Sequence, residues 1–200
     1  MASVATRRGE VVQNPGLINW LLNDPRAGWV WLFPRIWVGW QWVLASEHKI
    51  TNAAWVGNGT ALKGFWTSAI AIPATGSAPI YFAWYRAFLQ MMLNAQAYTW
   101  FAKLIAYGEL LVGIGLILGA FTGIAAFFGA LMNWNFMMAG SASSNPMLFL
   151  VAVLLVLAWK VAGHIGADYF LLKYIGTPWQ LAGNGKTSGP VGVAQKAPGD

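Results

Sequence analysis

YGELLVGIGLILGAFTGIAAFFGALMNWNFMMAGSASSNP, residues 107–146, is the stretch that decides how the rest of the chain folds. From Leu110 to Leu131 it holds no charged side chain, and the run is longer than the ~20 residues a helix needs to cross a bilayer core. It continues through Asn133 and Asn135 to Gly140. A break near Ala120–Gly123 therefore divides it into two membrane helices joined by a tight turn. Gly115, Gly119 and Gly123 recur every fourth residue, a spacing that stacks small residues on one helix face and lets backbones approach closely in lipid. Taken alone, that stripe signals helix packing rather than a ligand.

Three polar residues interrupt the apolar pattern. Glu109 lies near the start of the first helix, and Asn133 and Asn135 lie late in the second. An ionisable group within a span is a functional hypothesis because hydrocarbon penalises an unpaired charge. The asparagines are equally compatible with an interhelical hydrogen bond that locks the pair.

Composition agrees with a membrane protein. Of 200 residues, 58% are hydrophobic and 9% charged, and the mean hydropathy is +0.53. Thirteen tryptophans suit the headgroup level. The net charge of +6 comes from scattered basic residues, with only Arg7 and Arg8 adjacent. No basic stripe exists for phosphates, so nucleic acid is not an expected partner. The absence of cysteine excludes disulfides, cysteine-ligated iron–sulfur clusters and covalently attached c-type haem.

Outward from the hairpin, the expected architecture is all-α: a four-transmembrane-helix bundle with interfacial amphipathic helices in a long first loop. Residues 1–27 form an N-terminal segment with a short surface helix at Leu17–Leu22 and no cleavable signal. Residues 28–175 form the membrane domain, and residues 176–200 a tail that is flexible by composition. The first span is Trp29–Ala45, with Pro34 marking a kink or the true start. Arg35 lies inside it, where a long side chain can snorkel to a headgroup. Ala61–Ile70 has the spacing of an amphipathic surface helix, and Ile80–Leu93, which contains Arg86, reads as interfacial or re-entrant. Trp100–Ala120, Phe121–Ala139 and Met147–Ile165 complete the spans. The hydroxyls of Ser141–Ser144 are candidates to cap the last one. A short amphipathic exit follows at Tyr169–Ile175.

Four spans put both termini on one side. The basic residues near the termini, against Lys49, Lys63 and Arg86 in the loop, make that side cytoplasmic. Helix rise then sorts the polar side chains by depth. Glu109, His48, Lys49, Asn133 and Asn135 fall toward the outer leaflet, whereas Arg35, Lys160, His164 and Asp168 fall toward the cytoplasmic one. The only two histidines, His48 and His164, are thereby separated, which excludes a haem ligated by both and leaves no haem for this chain alone. A quinone pocket stays compatible, because it needs an apolar slot, aromatic walls and a few polar groups. Around Glu109, the candidates are Tyr107, Trp134, Asn133, Asn135 and His48. Metal ligation has no signature here.

Arg35-Ile-Trp-Val-Gly39 with Lys49, Gly108-Glu109-Leu-Leu-Val-Gly113, Leu118-Gly119-Ala-Phe-Thr122, Asn135–Gly140 with Asn145-Pro146, and Gly163-His-Ile-Gly166-Ala-Asp168 together resemble the DoxX/DoxD-like membrane proteins. The resemblance covers roughly residues 28–175. It implies a bacterial or archaeal cytoplasmic-membrane protein in which Arg35, Lys49, Glu109 and Asp168 are the recurrent polar positions. It also implies a subunit of a respiratory or photosynthetic redox complex, packed against partner subunits and lipids near a quinone. The alternative it carries is the membrane subunit of a thiosulfate:quinone oxidoreductase. There Glu109 would handle the quinone's proton, and Lys49, Lys63 or Arg86 would receive the anion. Arg35, Lys160 and Asp168 would serve as structural polar residues.

Overall fold

The computed structural model describes residues 4–5, 11–12 and 15–175. Arg7, Arg8 and the tail beyond residue 175, which supply much of the topological charge bias, lie outside them. A two-residue strand pair, β1 (Val4–Ala5) and β2 (Val11–Val12), runs antiparallel. Everything else regular among the described residues is helical: α1 (Gly16–Asn23), a 3₁₀ turn at Pro25–Ala27, α2 (Gly28–Ile50), α3 (Ala53–Val56), α4 (Thr60–Ile70), α5 (Ala83–Asn94), α6 (Tyr98–Leu118), α7 (Thr122–Met138), α8 (Asn145–Leu157), α9 (Trp159–Ala162) and α10 (Asp168–Ile175).

The hairpin breaks where expected. Gly119 closes α6 at φ +64°, and Phe121 also takes a left-handed φ of +50° before α7 begins. The Ala120 amide bonds back to the Gly115 carbonyl at 2.8 Å, the wrap-around bond of a glycine-terminated helix. This break overturns the expected glycine stripe. Gly115 lies in α6, Gly119 ends it and Gly123 belongs to α7, so their spacing does not place them on one helix face. The close helix crossing is made instead by Gly39 and Gly113. A Cβ on Gly39 would stand 2.9 Å from the Gly113 carbonyl oxygen, and one on Gly113 would stand 2.9 Å from that of Gly39.

Around this crossing α2 and α6 run antiparallel: Arg35 lies beside Gly119, and Lys49 beside Glu109. The α7 and α8 helices pack as the second pair. Pro34 lies inside α2 rather than at its start. The last expected span is shorter than its hydropathy suggested: α8 has 13 residues, and the chain restarts at Trp159 as the four-residue α9. The α8 N-terminus carries no side-chain cap. Instead of the serine hydroxyls, the Asn145 amide nitrogen ties the turn by donating to the Ser141 carbonyl at 2.9 Å.

Two apolar cores result. One joins α2, α6, α7, α8 and α9 around Val38, Trp42, Leu116 and Leu155. The other gathers α4 and α5 against the start of α6 and the end of α7, around Leu62, Trp66 and Leu89. The α1 helix docks on the first through Trp31, whose indole N–H donates to the Leu21 carbonyl at 2.8 Å. Large apolar side chains also face outward, among them Phe33, Leu104, Leu111, Phe127 and Leu150. Among the described residues, α6 is the helix both long and apolar enough to cross a membrane. The α8 helix is apolar but shorter.

Candidate functional site

Antiparallel pairing brings charged residues from distant parts of the chain together at each end of the bundle. About 21 Å of helix rise separates Arg35 from Lys49 along α2.

At the Arg35 end, the guanidinium donates from Nη1 to the Ala162 carbonyl and from Nη2 to that of Ile165, both at 2.7 Å. Asp168 accepts from the amides of Phe121 (2.6 Å) and Thr122 (2.9 Å), satisfying donors that α7 leaves open at its N-terminus. Both side chains are buried. Gly119 and Gly163 leave the room they need, since a Cβ on the first would collide with Arg35 and one on the second with Asp168, while a Cβ on Gly166 would collide with the backbone of Leu118 and Gly119. Lys160 is exposed and lies over the Trp159 ring, and His164 packs on Tyr169; both remain apart from this latch's hydrogen bonds.

At the other end, Lys49 Nζ donates to Glu109 Oε2 at 2.7 Å. The Glu109 side chain is 1% exposed and that of Lys49 16%. Lys49 also lies 5.2 Å from the Trp55 ring centroid and 6.0 Å from that of Phe136. The pair borders a cavity of about 430 Å³, lined also by Gln41, Trp42, His48, Asn133 and the turn residues Ser141, Ser143, Ser144 and Asn145. Several polar atoms here are buried without a hydrogen-bond partner: Glu109 Oε1, both amide atoms of Asn133 and Trp42 Nε1. Such orphaned groups cost stability unless something else satisfies them. The residues that carry them, Glu109, Asn133 and Trp42, all line this one cavity.

A second cavity of about 420 Å³ lies alongside, lined almost wholly by apolar residues of α4, α5, α6 and α7. Phe65 and Phe136 line both cavities, and their rings meet edge to face with centroids 6.4 Å apart. Asn135 belongs to this second cavity, where the Tyr85 hydroxyl donates to its backbone carbonyl at 3.0 Å. Burial pushes the Tyr85 phenol up to about 12, so it stays a donor at physiological pH.

Of the residues singled out in the sequence, the fold gathers Glu109, Lys49, Asn133 and His48 around one cavity. Tyr107 and Trp134 are exposed and line neither cavity, because they project from the outer faces of α6 and α7. Lys63 lies over Tyr98, and Arg86 donates to the Ile80 carbonyl at 2.6 Å. Lys49, Lys63 and Arg86 therefore do not converge on a common anion site. Trp42 and Gln41 escaped the sequence reading, and the serine turn, expected there as a helix cap, lines the cavity instead. Trp42 falls in a span already crowded with tryptophan, and nothing local separates it from its neighbours.

Fold and site together define a helical bundle with a part-buried lysine–glutamate pair beside a polar cavity and an apolar annex. No protein-family model, curated protein or solved structure matches the chain.

Proposed function

We propose that this chain is a four-span, DoxX-like integral membrane subunit of a respiratory or photosynthetic redox complex and that it binds a quinone at the Glu109 cavity. The observation that carries this reading is the set of orphaned polar atoms around the Lys49–Glu109 pair. An ion pair placed only for stability would have both carboxylate oxygens satisfied, whereas this one lies beside a cavity and leaves Glu109 Oε1 buried without a partner. Asn133 Nδ2 and Trp42 Nε1 are the donors at hand for a quinone's oxygens, and Glu109, once it has taken up a proton, can pass it to the reduced quinone oxygen. Outward apolar side chains on α2, α6, α7 and α8 support the membrane setting. The antiparallel order of the helices supports four spans. Both termini then face the cytoplasm of a bacterial or archaeal cell, and partner subunits and lipids cover the outer faces.

Electrons for quinone reduction come from a partner subunit or external donor in this reading, since the chain has no cysteine to carry sulfur or cluster chemistry. The thiosulfate version requires an anion site, for which Lys49 and the serine turn are the residues at hand.

The test is solvent extraction of wild-type and Glu109→Gln protein purified in mild detergent, with quinone quantified and co-purifying subunits identified. The wild type should carry quinone that the variant has lost. Equal quinone in both would remove Glu109 from the site, and none in either would sink the quinone reading.

A further inference from the structure

The two cavities differ in chemistry and share a wall. Beside Glu109 and Asn133 stand unpartnered donors and acceptors, whereas the annex is apolar except for Tyr85 and Asn135. Phe65 and Phe136 are the residues common to both linings, so a ligand that spans the two passes these rings. The annex also reaches the surface. Its inner wall includes buried Leu62 and Leu89, while its rim includes Leu104 (56% exposed), Leu111 (70%) and Phe128 (51%). That rim lies on the outward apolar faces of α6 and α7, not at an end of the bundle.

We infer that one amphipathic ligand occupies both cavities, with its hydrogen-bonding head beside Glu109 and Asn133 and its hydrocarbon chain in the annex. It enters sideways past Leu104, Leu111 and Phe128. This rests on the quinone reading above and adds the chain's location and the route in. Charge selects the occupant. Lys49 and Glu109 neutralise each other, so the polar cavity offers hydrogen bonds without a net charge. That matches an uncharged quinone head better than the phosphate of a phospholipid.

Gly108 allows a direct test. It lines the annex, and a Cβ there would meet only Met132 Sδ, at 3.9 Å. Gly108→Leu therefore adds bulk on a lining position of the annex where a Cβ has room, and leucine is also the better helix former. Binding of a decyl-substituted benzoquinone, and of the same benzoquinone without its chain, is measured on the detergent-purified protein. The wild type should favour the decyl compound by about tenfold or more, as burial of a hydrocarbon chain requires. Gly108→Leu should lose that preference and keep the chainless affinity. Leu111→Trp, at the exposed rim and away from either core, should weaken decyl binding in the same way and serves if the first variant folds poorly. A wild-type preference that both variants retain would overturn the annex assignment and leave the quinone reading standing. If the wild type binds neither benzoquinone, or native mass spectrometry finds a phospholipid held in the site, both fall.

Discussion

The two ends of the bundle each bury a carboxylate near a basic side chain, fully buried in Arg35 and partly so in Lys49, yet use them differently. At the Arg35–Asp168 end, both Nη nitrogens and both carboxylate oxygens are spent on backbone groups of other segments, and neither residue lines either cavity. Arg35 Nε and Thr122 Oγ1 are left over there. At the Lys49–Glu109 end, the charges meet directly and one carboxylate oxygen stays unused beside a cavity. The first arrangement stitches α2, the α6–α7 turn and the segment after α9 together. The second holds polar atoms ready at a cost in stability. Burial of charge alone does not mark function; what distinguishes the ends is that the unpartnered polar atoms at the Glu109 end belong to residues lining a cavity, whereas those at the Arg35 end do not.

Substitutions at the two ends should therefore separate. Arg35→Met should have the largest effect, about 3–5 kcal/mol of destabilisation, because it strands Asp168 and frees two buried carbonyls. It would be read as a lower thermal unfolding midpoint in detergent. Asp168→Asn comes next, at about 1–3 kcal/mol, since an amide cannot accept both α7 amide bonds and carries no charge. Glu109→Gln should cost only about 1–2 kcal/mol, because the amide oxygen still accepts from Lys49 and water reaches that ammonium. Its main consequence is loss of ligand. Asn133→Leu should go the other way and stabilise by about 1 kcal/mol, as it removes two unpaired buried polar atoms at similar volume. The same protein should lose bound quinone. A large loss of stability in Asn133→Leu would mean that its amide is satisfied within the bundle, and the contrast between the ends would collapse.

Much of this was legible in the sequence because it depends on local rules. The α6–α7 break follows from Gly119, and the helix at Leu17–Leu22 and both loop helices follow from apolar spacing. Helix rise also put the Arg35 and Glu109 groups at opposite ends of the spans, and they lie at opposite ends of the α2–α6 pair. What failed was pairing. The four-residue glycine spacing lost its meaning once a left-handed residue interrupted it, and the serine hydroxyls were displaced by the Asn145 amide. Tyr107 and Trp134, near Glu109 and Asn133 in sequence, point away because helix rotation outweighs sequence proximity.

Composition and periodicity alone determined that the chain is helical and strongly apolar, and that Glu109 is an expensive residue in its setting. Only the tertiary structure decided that Lys49 is its partner and that Asn133, not Asn135, shares its cavity. It also decided that Trp42 belongs there and that an apolar annex lies behind Phe65 and Phe136. Local propensity acts within a turn of helix, whereas a cavity is the space left when several helices, already formed, cannot fill the volume between them.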